Sequence, residues 1–443
     1  MLFAIVAVNS PPGVKFILNL CANIKNMKTI DFEKASFKDF ENIEGMDPYG
    51  WAKLWEQYVN DRSRNGQFNY RQENLSGCGP EIELNLPSNP HRNFVSLVSN
   101  DYLGFTQHPK VKAAAIAAIE KYGSGAGASP AIGGHYIFHQ EIEDKIAKFF
   151  KRDSAIVFST GYTANSASLQ ALLKKEDLAV LDMAVHASVY EGCLNTNVKT
   201  FLHNNLEALE RILQTSKDKY RTKMVIIDGV YSQDGDLAPL DKIIQLTKKY
   251  GAYLMVDDAH GTGVIGDTGR GVIELHNLYK EVDIITGTFS KTFGHVGGYL
   301  VANPELVGFL KFQARQHIFS ATLSPASACI SRAIDLVDEE PIWMHKLWDN
   351  IDYLKTGLQS LGLDTGITQS AIIPVKIGDI NLNAKICGML LEAGIYANQI
   401  NYPAVSRKDA RVRMSVMATH THTQLDKVLN AWEWVIKKTH LEK

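Results

Sequence analysis

The residue in the most unusual setting for chemistry is Lys291, within Asp283-Ile284-Ile285-Thr286-Gly287-Thr288-Phe289-Ser290-Lys291-Thr292-Phe293-Gly294. The stretch opens as an apolar, β-branched run, which reads as a buried strand. It then breaks into small hydroxyl residues around one lysine, with Gly297 and Gly298 close behind. A lysine desolvated at a strand end has a lowered pKa and serves as nucleophile, base or Schiff-base partner. Taken alone, the window also reads as a surface lysine in a Gly-rich turn, because most lysines are exposed.

Other chemically capable residues also follow apolar runs. Phe158-Ser159-Thr160-Gly161-Tyr162-Thr163-Ala164-Asn165 reads as strand, tight turn and helix. Backbone N–H groups at such a helix start suit a phosphate. His186 lies in the turn after the run at 178–181. Asp228 to Asp236 is turn-rich, and its acids also read as ordinary loop caps. Asp257 and Asp258 end the run Tyr253-Leu254-Met255-Val256, and His260 follows. Adjacent carboxylates at a strand end are costly to desolvate without a partner. No second pair of histidine and acid stands at ligand spacing, so no metal is expected. Gly261-Thr262-Gly263-Val264-Ile265-Gly266 matches GxGxxG, but Asp267-Thr268-Gly269-Arg270-Gly271 is a poor opening for the helix a dinucleotide site needs. The Gly-rich loop at 123–134 lacks a GK[ST] ending, which argues against a P-loop.

A lysine, a strand-end acid, two histidines and a phosphate turn together are the equipment for pyridoxal 5′-phosphate (PLP). Lys291 would hold the aldehyde as a Schiff base. Asp257 would keep the pyridine nitrogen protonated, so that the ring accepts electrons from a carbanion. His186 would stack on the ring and His260 would bond its phenolic oxygen. Gly161 and Tyr162 would offer amides to the phosphate.

These residues need a scaffold that brings strand ends together. Strands are expected at 94–98, 155–158, 178–181, 199–202, 224–227, 253–256 and 284–285. Helical spacing falls at 111–122, 138–151, 206–213 and 240–250. Such alternation predicts an α/β fold with a mainly parallel sheet covered on both faces and ligands at its carboxyl edge. Helices at 325–337 and 343–361 lead to a smaller C-terminal α+β unit, with strands at 371–377 and 411–416 and a last helix at 423–437. The expected domains are an N-terminal segment at 1–93, a large cofactor domain at 94–338 and a small domain at 339–443.

The bulk numbers fit a globular enzyme and exclude other classes. In 443 residues, 46 basic groups face 48 acidic ones, a formal charge of −2, so neither nucleic acid nor an anionic membrane is called for. Cys21, Cys78, Cys193, Cys329 and Cys387 are odd in number, with no CxxC. That fits a reducing compartment, and the cytoplasm is expected. The apolar run Met1 to Val8 is too short to span a bilayer and lacks the basic start of a signal peptide. A start at Met27, leaving 1–26 untranslated, is the favoured reading; a membrane-surface anchor is the alternative. No transmembrane segment is expected.

From about Phe94 to the last helix, the chain resembles the α-oxoamine synthases, a family of fold-type I PLP enzymes. The motifs are SNDYLG at Ser99, STGYTAN at Ser159, HAS at His186, GVYSQDGD at Gly229, VDDAHGTGVIG at Val256 and GTFSK at Gly287. The resemblance implies that Ser232 and Thr288 join the cofactor shell, Thr288 towards the phosphate. It implies that Ser320, in Ile318-Phe319-Ser320-Ala321-Thr322, reaches the cofactor phosphate of a neighbouring subunit, and hence a homodimer with shared sites. Asn100 matches an asparagine near the substrate. The implied reaction is a Claisen-type condensation. An amino acid displaces Lys291, which then removes the α-proton as general base. The carbanion attacks an acyl thioester carried on CoA or an acyl carrier protein, the thiol leaves, and decarboxylation follows in most members.

Two departures bear on the substrate. Several members grip the substrate carboxylate with an arginine in a setting like I-R-P-P, where this chain has Ile400-Asn401-Tyr402-Pro403. A neutral amide cannot give a bidentate ion pair, and Arg413 is the available substitute. Pro130 stands where many members have an arginine. The run Pro403-Ala404-Val405, His203-Asn204-Asn205 and Met417-Ala418-Thr419-His420-Thr421 are closer to bacterial serine palmitoyltransferase-like members, which makes that activity the favoured expectation. The alternatives are 8-amino-7-oxononanoate synthase or 2-amino-3-ketobutyrate CoA ligase. Outside the family they are an aminotransferase or a non-catalytic partner subunit.

Overall fold

A computed structural model of the chain describes residues 30–86, 89 and 91–441. The expected start at Met27 and its membrane-anchor alternative fall outside them. The chain forms two compact units: the described part of Met1–Arg71 with Ile377–Gly388 and Gln399–Arg411, and Gln72–Lys376 with Met389–Asn398 and Val412–Lys443. No helix among the described residues is long and apolar enough to cross a membrane.

The larger unit carries the candidate chemistry. Its short strands β1 (Glu81–Glu83) and β2 (Asn93–Ser96) pair antiparallel, and Ile395–Tyr396 joins β2 in parallel. The main sheet has seven strands: β3 (Ser154–Phe158), β4 (Leu178–Asp182), β5 (Asn197–Phe201), β6 (Lys223–Asp228), β7 (Tyr253–Asp257), β8 (Ile284–Thr288) and β9 (Gly298–Ala302). Their order is β3-β9-β8-β7-β6-β4-β5. Only β9 runs antiparallel to its neighbours, so six strands point their carboxyl ends the same way. Strands β4 and β8 are buried at every position, as expected where helices cover both faces of a parallel sheet. Edge strand β5 is mostly exposed and carries Lys199, a charge that discourages further pairing.

The α/β class and mainly parallel sheet match the expectation, with some differences in the elements. Strand β9 and the helix Pro304–Gln313 were not expected. Strand β9 follows Gly294 and Gly297, which read as loop, but Gly298 is required where it stands. A Cβ there would lie 2.2 Å from the Thr160 carbonyl oxygen, so only glycine lets β9 approach the turn after β3. Strand β8 continues past the expected 285 to Thr288, and β5 begins at Asn197 rather than 199.

One apolar core packs a face of the sheet against a helix. Ile156 and Phe158 of β3, Leu181 of β4, Ile226 of β6 and Met255 of β7 meet Ala164, Ala167 and Leu169 of the helix Gly161–Leu172. The smaller unit has its own aromatic cluster, in which Phe37 and Phe40 pack edge-on against Trp55.

Candidate active site

The carboxyl ends of the parallel strands surround a cavity of about 260 Å³. After β3, the Thr160 hydroxyl accepts from Thr163 N at 3.0 Å and caps the helix Gly161–Leu172. Thr160, Gly161 and Tyr162 line the cavity at that helix N-terminus, where free N–H groups and the helix dipole favour an anion. Thr288, at the end of β8, abuts this turn: a Cβ on Gly161 would meet the Thr288 Cβ at 2.7 Å. The Thr288 hydroxyl donates to Gly297 O at 2.8 Å and lies 2.7 Å from the Ser290 hydroxyl, so Ser290 brings one more potential phosphate donor to the same spot.

Opposite sits the acid that ends β7. Asp257 Oδ2 accepts from Asn165 Nδ2 at 2.6 Å, and Oδ1 accepts from Ala259 N at 3.1 Å. Asn165 Nδ2 also reaches Ser188 Oγ at 2.9 Å, and that hydroxyl lies 2.7 Å from His186 Nδ1. One asparagine therefore ties the strand-end acid to the histidine turn. His186 lines the cavity and keeps solvent access. Desolvation and the Lys291 charge lower its pKa, against the pull of Asp257. A neutral ring with an open face is suited to stacking.

Asp228 ends β6 directly beside Asp257, with which it is in register. The sequence reading treated it as a loop acid. It is instead buried and lines the same cavity, and burial, then the Asp257 charge, push its pKa well up. Lys291 follows β8 into the same cavity. Although Lys291 keeps partial access, desolvation brings its amine down to about 8, against the attraction of Asp257.

A second network runs from His260. Its Nδ1 lies 2.6 Å from the buried Tyr102 hydroxyl, which donates to Asn100 Oδ1 at 3.3 Å. Burial first, then the charges of Lys291 and Arg413, hold His260 well below its usual pKa. Arg413 is itself buried and donates to Ser232 O at 2.6 Å, Ser415 Oγ at 3.0 Å and Asn100 Oδ1 at 3.2 Å. The structure thus brings Gly161, Tyr162, His186, Ser232, Asp257, His260, Thr288 and Lys291 to one cavity, with Asn100 and Arg413 joined to it through these bonds.

Two expected residues are not among those lining the cavity. Ser320 does not line this cavity; its segment bonds through Thr322 N to Ala128 O at 3.3 Å. Asn401 belongs to the smaller unit, where its Oδ1 accepts from Asn383 Nδ2 at 2.8 Å. Sequence reasoning missed the placement of Asn165, Asp228 and Tyr102. Asn165 was legible as part of the STGYTAN motif, one helical turn beyond Gly161. The side-by-side acids were not legible, because sheet register does not follow from spacing. Among the described residues no cluster could hold a metal ion.

The donor set fits PLP. An anion-favouring helix start, a strand-end carboxylate and a lysine whose amine is readily deprotonated converge on one cavity, and the buried Asn165 Oδ1 has no protein partner.

Comparison with known proteins agrees. The profile of the family "Aminotransferase class I and II" matches residues 92–431. An 8-amino-7-oxononanoate synthase of Thermoanaerobacter pseudethanolicus is 43% identical over 366 residues, 81% of this chain and 93% of that protein. The 8-amino-7-oxononanoate synthase 1 of Bacillus subtilis is 39% identical, covering 82% and 92%. Among solved structures, a serine palmitoyltransferase from S. paucimobilis with a bound PLP–myriocin aldimine superposes with a TM-score of 0.84 at 31% identity, covering 89% of this chain and all of that one.

Proposed function

We propose a specific activity for this chain, which belongs to the α-oxoamine synthase family of PLP-dependent acyltransferases: 8-amino-7-oxononanoate synthase. The observation that carries this reading is identity of 43% and 39% to relatives of that name, against 31% to the serine palmitoyltransferase. These comparisons favour the activity that the sequence reading kept as an alternative over the one it preferred.

The product name fixes the substrates by carbon count. In 8-amino-7-oxononanoate, C8 carries the amine and C9 is a methyl group, so both derive from the α-carbon and side chain of alanine. C7 to C1 derive from a seven-carbon acyl thioester that ends in a carboxylate. Joining them requires loss of the alanine carboxyl as CO2 and of the thiol.

PLP, when bound, supplies an electron sink for the α-carbanion of the amino acid. The chain's residues do the rest. Asp257, held by Asn165, pairs with the ring nitrogen, and His186 covers the ring face. The helix start at Gly161 and Tyr162, with Thr288 and Ser232, holds the cofactor's polar groups. Lys291, with its amine near 8, takes up the alanine α-proton at Nζ. His260, kept neutral by burial, bonds the phenolic oxygen. Arg413, set by Ser232, Ser415 and Asn100, receives a substrate carboxylate. Ser320 stands outside this cavity beside the exposed Phe319. That placement supports a homodimer in which the segment serves a second copy's site. We assign the large cofactor domain to 94–338 and the small one to 339–443, with 1–93 as the N-terminal segment.

A thiol-release screen tests the reading. It crosses alanine, glycine, serine and threonine with a seven-carbon ω-carboxy acyl-CoA and with palmitoyl-CoA. Alanine with the ω-carboxy thioester should release thiol fastest; serine with palmitoyl-CoA doing so instead would restore the serine palmitoyltransferase reading.

A further inference from the structure

His203 lies just past edge strand β5 and lines no part of the cavity, yet its ring is held between two buried acids. Nδ1 is 3.1 Å from Asp182 Oδ1, and Nε2 is 2.9 Å from Asp236 Oδ2. The two carboxylates are 0% and 2% exposed. A neutral imidazole has one N–H and so can serve only one such acceptor; two acceptors require the imidazolium. The next residue repeats the linkage. Asn204 donates N–H to Asp182 Oδ2 at 2.8 Å, and its Nδ2 to Asp236 Oδ2 at 3.0 Å.

Each acid controls a turn that reaches the site. Asp182 ends β4, and its Oδ1 also accepts from Ala184 N at 2.8 Å, opening the turn that carries His186. Asp236 closes the turn that carries Ser232, where Tyr231 N donates to Asp236 O at 3.0 Å and Gly235 N to Tyr231 O at 2.8 Å. The carbonyl of Ser232 in turn accepts from Arg413 Nε at 2.6 Å.

We propose that His203 is a positioning residue: a charged clamp that locks the His186 turn to the Ser232 turn and, through the Ser232 carbonyl, sets Arg413. It joins the group that covers the cofactor ring to the group that receives the substrate carboxylate, while touching neither. Burial alone would lower the His203 pKa, but the hydrogen bonds and charges of Asp182 and Asp236 outweigh it and lift it to about 10. The neighbouring ionisable groups are Tyr231, edge-on at 4.3 Å, and Tyr190 and Asp228, which share the field of Asp182. A raised folded-state value gives stability that is complete below the ordinary pKa of about 6.5 and is lost as pH climbs through about 10.

The inference rests on the reading that the cavity holds PLP, and its test separates the two. His203→Gln and His203→Gln/Asp236→Asn are compared with wild type as holoenzymes. Three quantities are read: the PLP dissociation constant from the visible absorbance of lysine-bound cofactor, the alanine KM, and the thermal midpoint against pH. The single variant should weaken PLP binding and raise the alanine KM, each by about tenfold, the scale of one lost charge-assisted hydrogen bond. The double variant, relieved of one buried charge, should regain the thermal midpoint but neither the PLP affinity nor the KM. Wild type should lose more stability than His203→Gln as pH climbs through about 10. Unchanged PLP affinity and KM in the single variant, or full recovery of both in the double, would overturn the clamp. If wild type never shows the cofactor absorbance, the PLP reading fails, while a wild-type thermal midpoint that falls through about pH 10 no more steeply than that of His203→Gln would still overturn the charged clamp.

Discussion

Replacing Arg413 with lysine keeps the charge and removes the geometry. In the wild type, bonds to Ser232 O at 2.6 Å, Ser415 Oγ at 3.0 Å and Asn100 Oδ1 at 3.2 Å fix the plane of the guanidinium. Arginine presents five N–H donors in a rigid fork, whereas lysine offers a point charge on a flexible stem with three. A lysine drawn to the Ser232 carbonyl has no second donor at fork spacing for a carboxylate. Losing one hydrogen bond to a charged group costs about 1.5–3 kcal/mol, or about ten- to 150-fold in kcat/KM at 1.36 kcal/mol per decade. The assay is steady-state thiol release with alanine varied at saturating acyl thioester, then the reverse. Arg413→Lys should raise the alanine KM by that factor and leave the thioester KM in place. An unchanged alanine KM with a raised thioester KM would place the guanidinium on the acyl chain's carboxylate and refute the assignment.

In PLP-free protein, arylation of the Lys291 amine should titrate with a midpoint near 8; a midpoint near 10.5 would mean that desolvation does not govern the lysine. Lys291→Ala should abolish the visible absorbance of lysine-bound cofactor, and its survival would point to another attachment site. Asp257→Asn should cut turnover by about 100-fold or more, the scale of a lost proton-transfer or charge partner, while the backbone bond from Ala259 N keeps the turn in place. Thr160→Ala removes the cap that accepts from Thr163 N, lowering unfolding free energy by about 1 kcal/mol in urea titration, together with PLP affinity. Loss of stability without loss of affinity would detach the helix start from the cofactor.

Much of the scaffold could be read from the runs and spacing of apolar residues. Strands β4, β6 and β7 are nearly unbroken apolar runs ending in an acid, because a strand covered on both faces has no solvent side to encode. Strand β9 escaped because its pairing depends on a glycine, Gly298, whose purpose is visible only once Thr160 lies against it. Likewise, Lys291, Asp257, His186 and His260 stood out as chemically capable groups at strand ends. Their supports did not: Asp228 gains its meaning from register with Asp257, and Asn165 from a helix face aimed at Asp257 and Ser188. His203 read as a family motif, and only the folded chain puts the acid that ends β4 and an acid from the turn after β6 on its two nitrogens. Substrate choice was the least legible, since Asn401 and Arg413 are separated by few residues yet belong to different compact units.

The decarboxylating acyl transfer is tested by following carbon through one turnover. Purified enzyme with PLP receives alanine labelled with 13C at the carboxyl and the seven-carbon ω-carboxy acyl-CoA, and the products are read by mass spectrometry. The expectation is one labelled CO2 and one free thiol per 8-amino-7-oxononanoate formed, with no label in that product. Conversion of alanine to labelled pyruvate without thiol release would show an aminotransferase instead and contradict it.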